Sequence, residues 1–503
     1  MDSATLRAAH GSRQAGAAAR AGLVAGVACV ALAAACSPRP AAPDLDGLYS
    51  RAAAFEYPER NPVIVIPGIL GSKLVDADTG TIVWGAFGGG AADPETPEGV
   101  RLVALPMREG EPLAALTDDV RPAGALDRVK IDVLGLPLEL TAYAQILATL
   151  GIGGYRDQTL AQAGAIRYGT GHFTCFQFDY DWRRDNVENA RRLDAFVREK
   201  RAQVQREIAS RFGVVDHDVH FDIIAHSMGG LVTRYFLRYG TQDLPPDGSL
   251  PESSWAGTRY VDKVVLIGTP NAGSIQALHQ LVEGADFGPL VPRYSPALVG
   301  TFPSLYELLP RGRHGALVQV EGDGRGAGSS AAMKPQPVAD FLDPELWERM
   351  DWGLASPAQD GELARLLPDV ADAGARRRVA LDHLRKSLTR ARQFHAALDA
   401  PGVLPPGLEL HLIASDALAT DAVSAVDPTT GALTHLATAP GDGTVTRASA
   451  LMDERLGRAT WSPRLVSPIP WSSVTFLFTD HLGLTQDPAF TDNVLYLLLE
   501  RPG

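Results

Sequence analysis

Ser227 sits in the stretch Ile223-Ile224-Ala225-His226-Ser227-Met228-Gly229-Gly230-Leu231, where an apolar run passes through a small-residue turn into a helical pattern. A serine hydroxyl is a poor nucleophile at neutral pH. It needs a base within hydrogen-bond reach and a turn that exposes its oxygen. The stretch meets the second requirement: it follows the G-x-S-x-G elbow pattern, with Ala225 in place of the first glycine, a difference of one methyl group. An ordinary strand-turn-helix could carry an incidental serine, but His-Ser-Met-Gly-Gly after an apolar run fits the nucleophile reading better.

The chemistry then calls for an imidazole that takes the serine proton and a carboxylate that holds the imidazole in the right tautomer. His481 follows the apolar run Ser473 to Phe478 and is the last of twelve histidines. Asp442 lies between Gly441 and Gly443 on an expected exposed turn, and Asp416, just after the apolar run Leu410 to Ala414, is the second candidate. The order serine, aspartate, histidine is that of strand-elbow hydrolases and favours Asp442. An Asp-Gly turn without chemistry would look the same. His226 adjoins the nucleophile, but alternation along an extended run directs its side chain elsewhere. Backbone N–H groups must also receive the developing oxyanion. The loop Pro67-Gly68-Ile69-Leu70-Gly71-Ser72-Lys73 leaves the apolar run Pro62 to Ile66, so Ile69 N–H is one expected donor and Met228 N–H the other.

The elements that must position these groups read as an α/β pattern. Pro62 to Ile66 is a short continuous apolar run, as expected of a strand buried on both faces of a parallel sheet. Residues 173–178 form another. Asp185 can cap a helix with apolar positions from Val187 to Ile208, which ends near Phe212-Gly213, and Val219 to Ala225 follows as a strand. Strand, crossover helix and strand imply parallel pairing. Lys263 to Ile267, Leu410 to Ala414 and Ser473 to Phe478 continue the sheet, a loop is expected to lead from Ala414 to Gly441, and a helix closes the chain from Pro488 to Leu499. Asp181 and Arg183 are expected to tie loops together, and Cys175 to be a buried structural thiol. Residues 76–130 read as a long loop, in which Trp84 either contacts substrate as part of a lid or packs the loop onto the body. Residues 275–408 interrupt the sheet pattern with Pro/Gly-rich pieces and helical segments such as Arg376 to Leu398, the mark of an inserted cap.

Composition bounds the function classes. The chain is 45% hydrophobic with a net charge of −13 and no basic block, which disfavours nucleic acid as a partner. The three cysteines show no zinc-ligand spacing, and no motif calls for a metal or cofactor. Arg7, Arg13 and Arg20 precede an apolar run from Ala21 to Ala35, the arrangement of an export signal. Cys36 directly after it resembles a bacterial lipobox with Ala33 where leucine is usual. Lipid-anchored and plainly secreted or periplasmic forms are both open.

Taken together, Pro67 to Leu74, Tyr180-Asp181-Trp182-Arg183, Ala225 to Gly230, Gly268-Thr269-Pro270 and Gly441 to Val445 resemble the lecithin:cholesterol acyltransferase family, which includes phospholipid:diacylglycerol acyltransferases and lysosomal phospholipases. The resemblance implies an α/β-hydrolase core with a mostly parallel sheet, helices on both faces, a cap and a lid. It implies an acyl-enzyme on Ser227 with Asp442 and His481 as partners, a lipid or phospholipid substrate met at a membrane surface, and Trp84 near the lid. The expected organisation is a signal segment over 1–36, a linker over 37–61, a core over 62–274 and 409–503 with a lid-like loop over 76–130, and a cap over 275–408. The disulfide-closed lid of the animal enzymes cannot form here, because 76–130 contains no cysteine. Hydrolysis and acyl transfer share the acyl-enzyme and stay undivided at this level. The competing reading is a surface lipoprotein that binds lipid or a partner on an inactive hydrolase scaffold.

Overall fold

The computed structural model describes residues 43–126, 128–133, 136–141, 143–159, 173–286, 291–320, 335–458 and 460–500. The expected leader over 1–36, with Cys36 and the start of the linker, lies outside the described residues, as does the low-complexity stretch 321–330. Six apolar runs build the central sheet: β1 (Val63–Ile66), β2 (Cys175–Gln177), β3 (Phe221–His226), β4 (Val261–Ile267), β5 (Glu409–Ser415) and β6 (Ser473–Leu477). Their order is β6-β5-β4-β3-β1-β2, and every pairing is parallel. β1 and β3 are buried along their whole length, which explains why β1 reads as an unbroken apolar run and why β3 holds Ile223-Ile224-Ala225 without alternation.

The strand order reverses at β1. The chain steps outward from β1 to β2, returns across β1 to β3, and then proceeds in the opposite direction to β6. Loops leaving the carboxyl ends of β1 and β3 therefore diverge and leave a crevice, the place where open α/β sheets bind ligands. Register fixes what meets there: Ile66 pairs with Ala225, so the chain leaves both strands at one level.

The crossover helix α1 (Asn186–Phe212) begins at Asp185, whose side chain accepts from Val187 N–H, and stops at Gly213, which adopts φ 72°. Helix α2 (Met228–Tyr239) starts directly after β3. Leu45–Gly503 forms one compact unit. The range 275–408, expected as an inserted cap, divides in two. Its first part, with helices α3 (Ile275–Glu283) and α4 (Pro303–Glu307), walls the crevice. Its last helix, α5 (Ala373–Asp399), is a core crossover leading into β5. Phe394 of α5 stacks on Tyr235 of α2 at 5.8 Å, and Arg234 and Tyr239 donate to the carbonyls of Leu398 and Ala397.

Two expectations are corrected. Residues 76–130 are not a structureless loop: they contain strands Ile82–Trp84 and Val120–Ala125 and a helix Pro97–Val103 capped by Thr96. The strand Ser72–Asp76 pairs with both of those strands. The segment between β5 and Asp442, read as a loop, is a hairpin of strands Leu418–Val426 and Leu433–Gly441. It belongs to a second, four-stranded sheet with residues 317–319 and 336–337. The alternation of small and polar residues along the hairpin lacks the apolar weight that marked the central strands.

Because α5 packs as a core element, Phe394→Ala is expected to destabilise the protein by about 3–5 kcal/mol, measurable as a lowered chemical-denaturation midpoint. A freely attached cap would show little change.

Candidate functional site

Ser227 occupies the turn between β3 and α2 with φ 52° and ψ −127°, a conformation costly for a residue with a side chain. The surroundings over-determine it. Ser227 N–H donates to Ile267 C=O at 2.8 Å, fixing the turn to β4. Neighbouring glycines make the close approach feasible: a Cβ on Gly68 would stand 2.7 Å from Ser227 Cβ, and one on Gly230 would stand 2.1 Å from Thr269 Oγ1. The helix that follows carries its side chains away and leaves the serine oxygen at the crevice floor.

The structure brings the three candidate side chains together. His481 Nε2 lies 3.0 Å from Ser227 Oγ, and His481 Nδ1 lies 2.7 Å from Asp442 Oδ2. With Nδ1–H donated to the carboxylate, Nε2 is left as the acceptor for the serine proton. Asp442 is buried, and burial opposes its charge. The hydrogen bond and charge of His481, together with the N–H groups of Val445 and Thr444, outweigh that and hold the carboxyl below its usual range. His481 N–H donates in turn to Asp442 C=O at 2.9 Å, so the two loops are joined twice. Asp416, the second candidate, is paired with Arg447.

The expected oxyanion donors are Met228, which follows Ser227, and Ile69, which borders the same cavity. Met228 opens α2, where first-turn N–H groups have no acceptor within the helix. Ile69 lies in the loop after β1, and both it and Leu70 line the same cavity as Ser227. That loop is held by four aromatic side chains. Tyr180 Oη donates to Pro67 C=O at 2.8 Å, Trp84 Nε1 to Leu70 C=O at 2.7 Å, and Trp182 Nε1 to Ser72 C=O at 3.1 Å. Gly68 N–H donates to Tyr143 Oη at 2.9 Å. Sequence reasoning found the Tyr180–Arg183 stretch but not its role in clamping the loop.

Trp84 departs from the lid expectation. It is 5% exposed and packs edge-on against Trp182 and Tyr294, at 5.4 and 5.9 Å between ring centres. It acts as a buttress behind the cavity wall, the second of the two alternatives open for it. Arg183 is fully buried and bonds Asp181, Asp118 and the Val103 carbonyl, which ties loops as expected. Cys175 is a buried thiol pushed up in pKa by burial.

His226 is a correction of a different kind. It does not point away from the site: its ring centre is 4.8 Å from that of His481, and it borders the cavity. It ends β3 at the turn, where strict strand alternation no longer applies. The cavity itself has a volume of about 520 Å³ and is walled by Ile69, Leu70, Trp182, Val299, Phe302 and Leu305, with Ser227 and His481 on its surface. Such a lining suits an aliphatic chain next to a reacting carbonyl.

The depressed Asp442 carboxyl contributes stability that is complete above its unfolded pKa of about 3.9 and is lost as pH falls through the lower folded value. Asp442→Asn is expected to flatten the acid-side dependence of stability on pH, followed by thermal unfolding between neutral and acidic buffers. It is also expected to cut ester turnover by about 10⁴-fold by presenting the wrong tautomer of His481, while Asp416→Asn leaves turnover unchanged.

A family model described as lecithin:cholesterol acyltransferase matches residues 158–323, a span that includes Ser227 and ends before Asp442 and His481. No curated protein sequence matches the chain at a significant level. Among solved structures, the chain is similar to one titled as the Tle4-Tli4 complex, at 16% identity and a TM-score of 0.55, over 88% of this chain and 98% of that one. Lipase 1 from Pelosinus fermentans is similar at 12% identity and a TM-score of 0.32, over 88% of this chain and 100% of that one. The first likeness speaks for the fold alone, and the second is too low to carry an argument. The chain thus has the α/β-hydrolase fold and, over residues 158–323, matches the lecithin:cholesterol acyltransferase family.

Proposed function

We propose that the protein is a serine acyl hydrolase or acyltransferase acting on lipid esters, with phospholipid as the acyl donor. One observation carries the reading: Ser227, His481 and Asp442 stand in hydrogen-bonded sequence at the wall of an apolar cavity. In this reading Ser227 Oγ attacks the ester carbonyl while His481 Nε2 takes its proton. The carbonyl oxygen becomes an oxyanion facing Ile69 N–H and Met228 N–H. Collapse breaks the ester C–O bond, the leaving alcohol takes the proton back from His481, and the acyl group stays on Ser227. A second acceptor repeats the cycle in reverse: water gives a free fatty acid, and an alcohol gives a new ester. Asp442 steadies the imidazolium that forms in each half. The family match and the apolar lining support a lipid acyl group. Export, and anchoring through Cys36, belong to the same proposal on the strength of the leader sequence alone.

Ser227→Ala is expected to abolish fatty-acid release from phosphatidylcholine vesicles, a loss of about 10⁶-fold in turnover, with the melting temperature retained. A fluorophosphonate probe should label the parent at Ser227 and leave the variant unlabelled. Undiminished turnover by the variant would overturn the reading, and an unreactive Ser227 in the parent would favour the inactive scaffold. Product analysis with an added sterol or primary alcohol divides transferase from hydrolase. The residue at the mature N-terminus tests the lipid anchor.

A further inference from the structure

The residue before the nucleophile and a tyrosine far from it in sequence form a hydrogen-bonded chain that the mechanism above does not use. Gly68 N–H donates to Tyr143 Oη at 2.9 Å, Tyr143 Oη lies 3.2 Å from His226 Nδ1, and His226 Nε2 lies 3.2 Å from His481 C=O. The chemistry of the end groups fixes the direction. A carbonyl only accepts, so His226 Nε2 must carry a proton and donate it. In neutral imidazole Nδ1 then accepts, and the tyrosine hydroxyl donates to it while receiving from Gly68. All three links agree with a single arrangement of protons.

We infer that Tyr143 and His226 are positioning residues that couple the oxyanion loop to the backbone of His481. The inference rests on the reading of Ser227 as nucleophile. One end of the chain holds Gly68, the neighbour of the Ile69 donor, and the other holds the peptide of the imidazole that serves Ser227. The hydroxyl also occupies Gly68 N–H, so that group is not free for the oxyanion, while its neighbour Ile69 borders the cavity. The linker must be neutral. His481 becomes positive during each proton transfer, and a second cation 4.8 Å away would oppose it. The titratable groups facing His226 are Tyr143, His481 and Asp442. Burial, aided by the charge of His481, pushes His226 down to about 3, and burial pushes the Tyr143 phenol up to about 12. Both side chains therefore stay uncharged around neutral pH, and the proton arrangement holds throughout.

The test separates this role from the assignment of the nucleophile. Nitrogen-15 NMR of histidine-labelled protein, with the His226 signals assigned by their absence in His226→Gln, should show the Nε2–H tautomer and no titration between pH 5 and 8. A titrating His226 or the Nδ1–H tautomer would overturn the inference whatever the activity. In turnover of a soluble 4-nitrophenyl ester, Tyr143→Phe and His226→Leu each remove links and are expected to lower kcat by roughly tenfold or more with KM little changed. His226→Gln offers an amide oxygen to Tyr143 and an amide N–H to His481, and should restore most of kcat. A purely structural role predicts equal losses in His226→Gln and His226→Leu, which would overturn the inference. A parent protein without turnover would instead overturn the proposed function, leaving the NMR result to decide the hydrogen-bond chain.

Discussion

The parallel pairing of Ile66 with Ala225 is the contact on which the site depends. It sets the ends of β1 and β3 at the same height, so that the Gly68 loop and the Ser227 turn leave the sheet side by side. A slip of one residue would turn every side chain of the incoming strand to the opposite face. It would also separate the oxyanion loop from the nucleophile. In β3 such a slip would also turn the buried Asp222 and His226 away from their partners Asn61 and Tyr143. The same pairing explains why the strained serine persists: the turn cannot relax without unpairing Ser227 N–H from Ile267 and pulling α2 from the sheet.

Above that pairing, the loop after β1 is a short irregular segment that must aim an N–H at one point in space. Irregular backbone is the part of a fold least able to hold such a position by itself. Here its carbonyls at Pro67, Leu70 and Ser72 accept from Tyr180, Trp84 and Trp182, and its Gly68 N–H donates to Tyr143. Each aromatic side chain adds apolar burial to a directed hydrogen bond, which suits a clamp that must also wall a dry cavity. Trp84 and Trp182 do both, since Trp182 lines the cavity and Trp84 packs behind it.

What could be read in advance followed the strength of local signals. β1 and the Ile223-Ile224-Ala225 end of β3 announced themselves because burial on both faces favours continuous apolar residues, and the elbow did so because close approach at Gly229 and Gly230 demands glycine. Asp442 and His481 were found from chain order and their strand addresses, although 39 residues separate them and only folding shows the 2.7 Å contact. The hairpin Leu418–Val426 and Leu433–Gly441 escaped because most of its residues are small or polar and one of its strands is largely exposed. α5 was legible as a helix but not as a core crossover, since helical periodicity reports a buried face without naming what covers it. Trp84 was undecidable for a similar reason: an aromatic in a polar stretch serves substrate or scaffold, and its partner Trp182 lies 98 positions on. His226 was misdirected by carrying strand alternation one residue past where the strand geometry ends.

Electrostatic economy links these features. The chain is acidic overall, yet the region around Ser227 holds one carboxylate in contact with the working imidazole, and that carboxylate is already saturated by Val445, Thr444 and His481. A second imidazole stands beside the first but is kept neutral by burial. Asp442 is thus the anion hydrogen-bonded to the imidazole that turns transiently positive, in a cavity walled mainly by apolar side chains with the exposed Asp480 at its border. In such surroundings a fixed charge acts more strongly than in water. A surplus charge of either sign would therefore cost more than on the surface. The placement of Tyr143 follows from that constraint: a neutral hydroxyl can both accept from Gly68 and donate to His226, which neither an ammonium nor a carboxylate could do without adding a charge to the site.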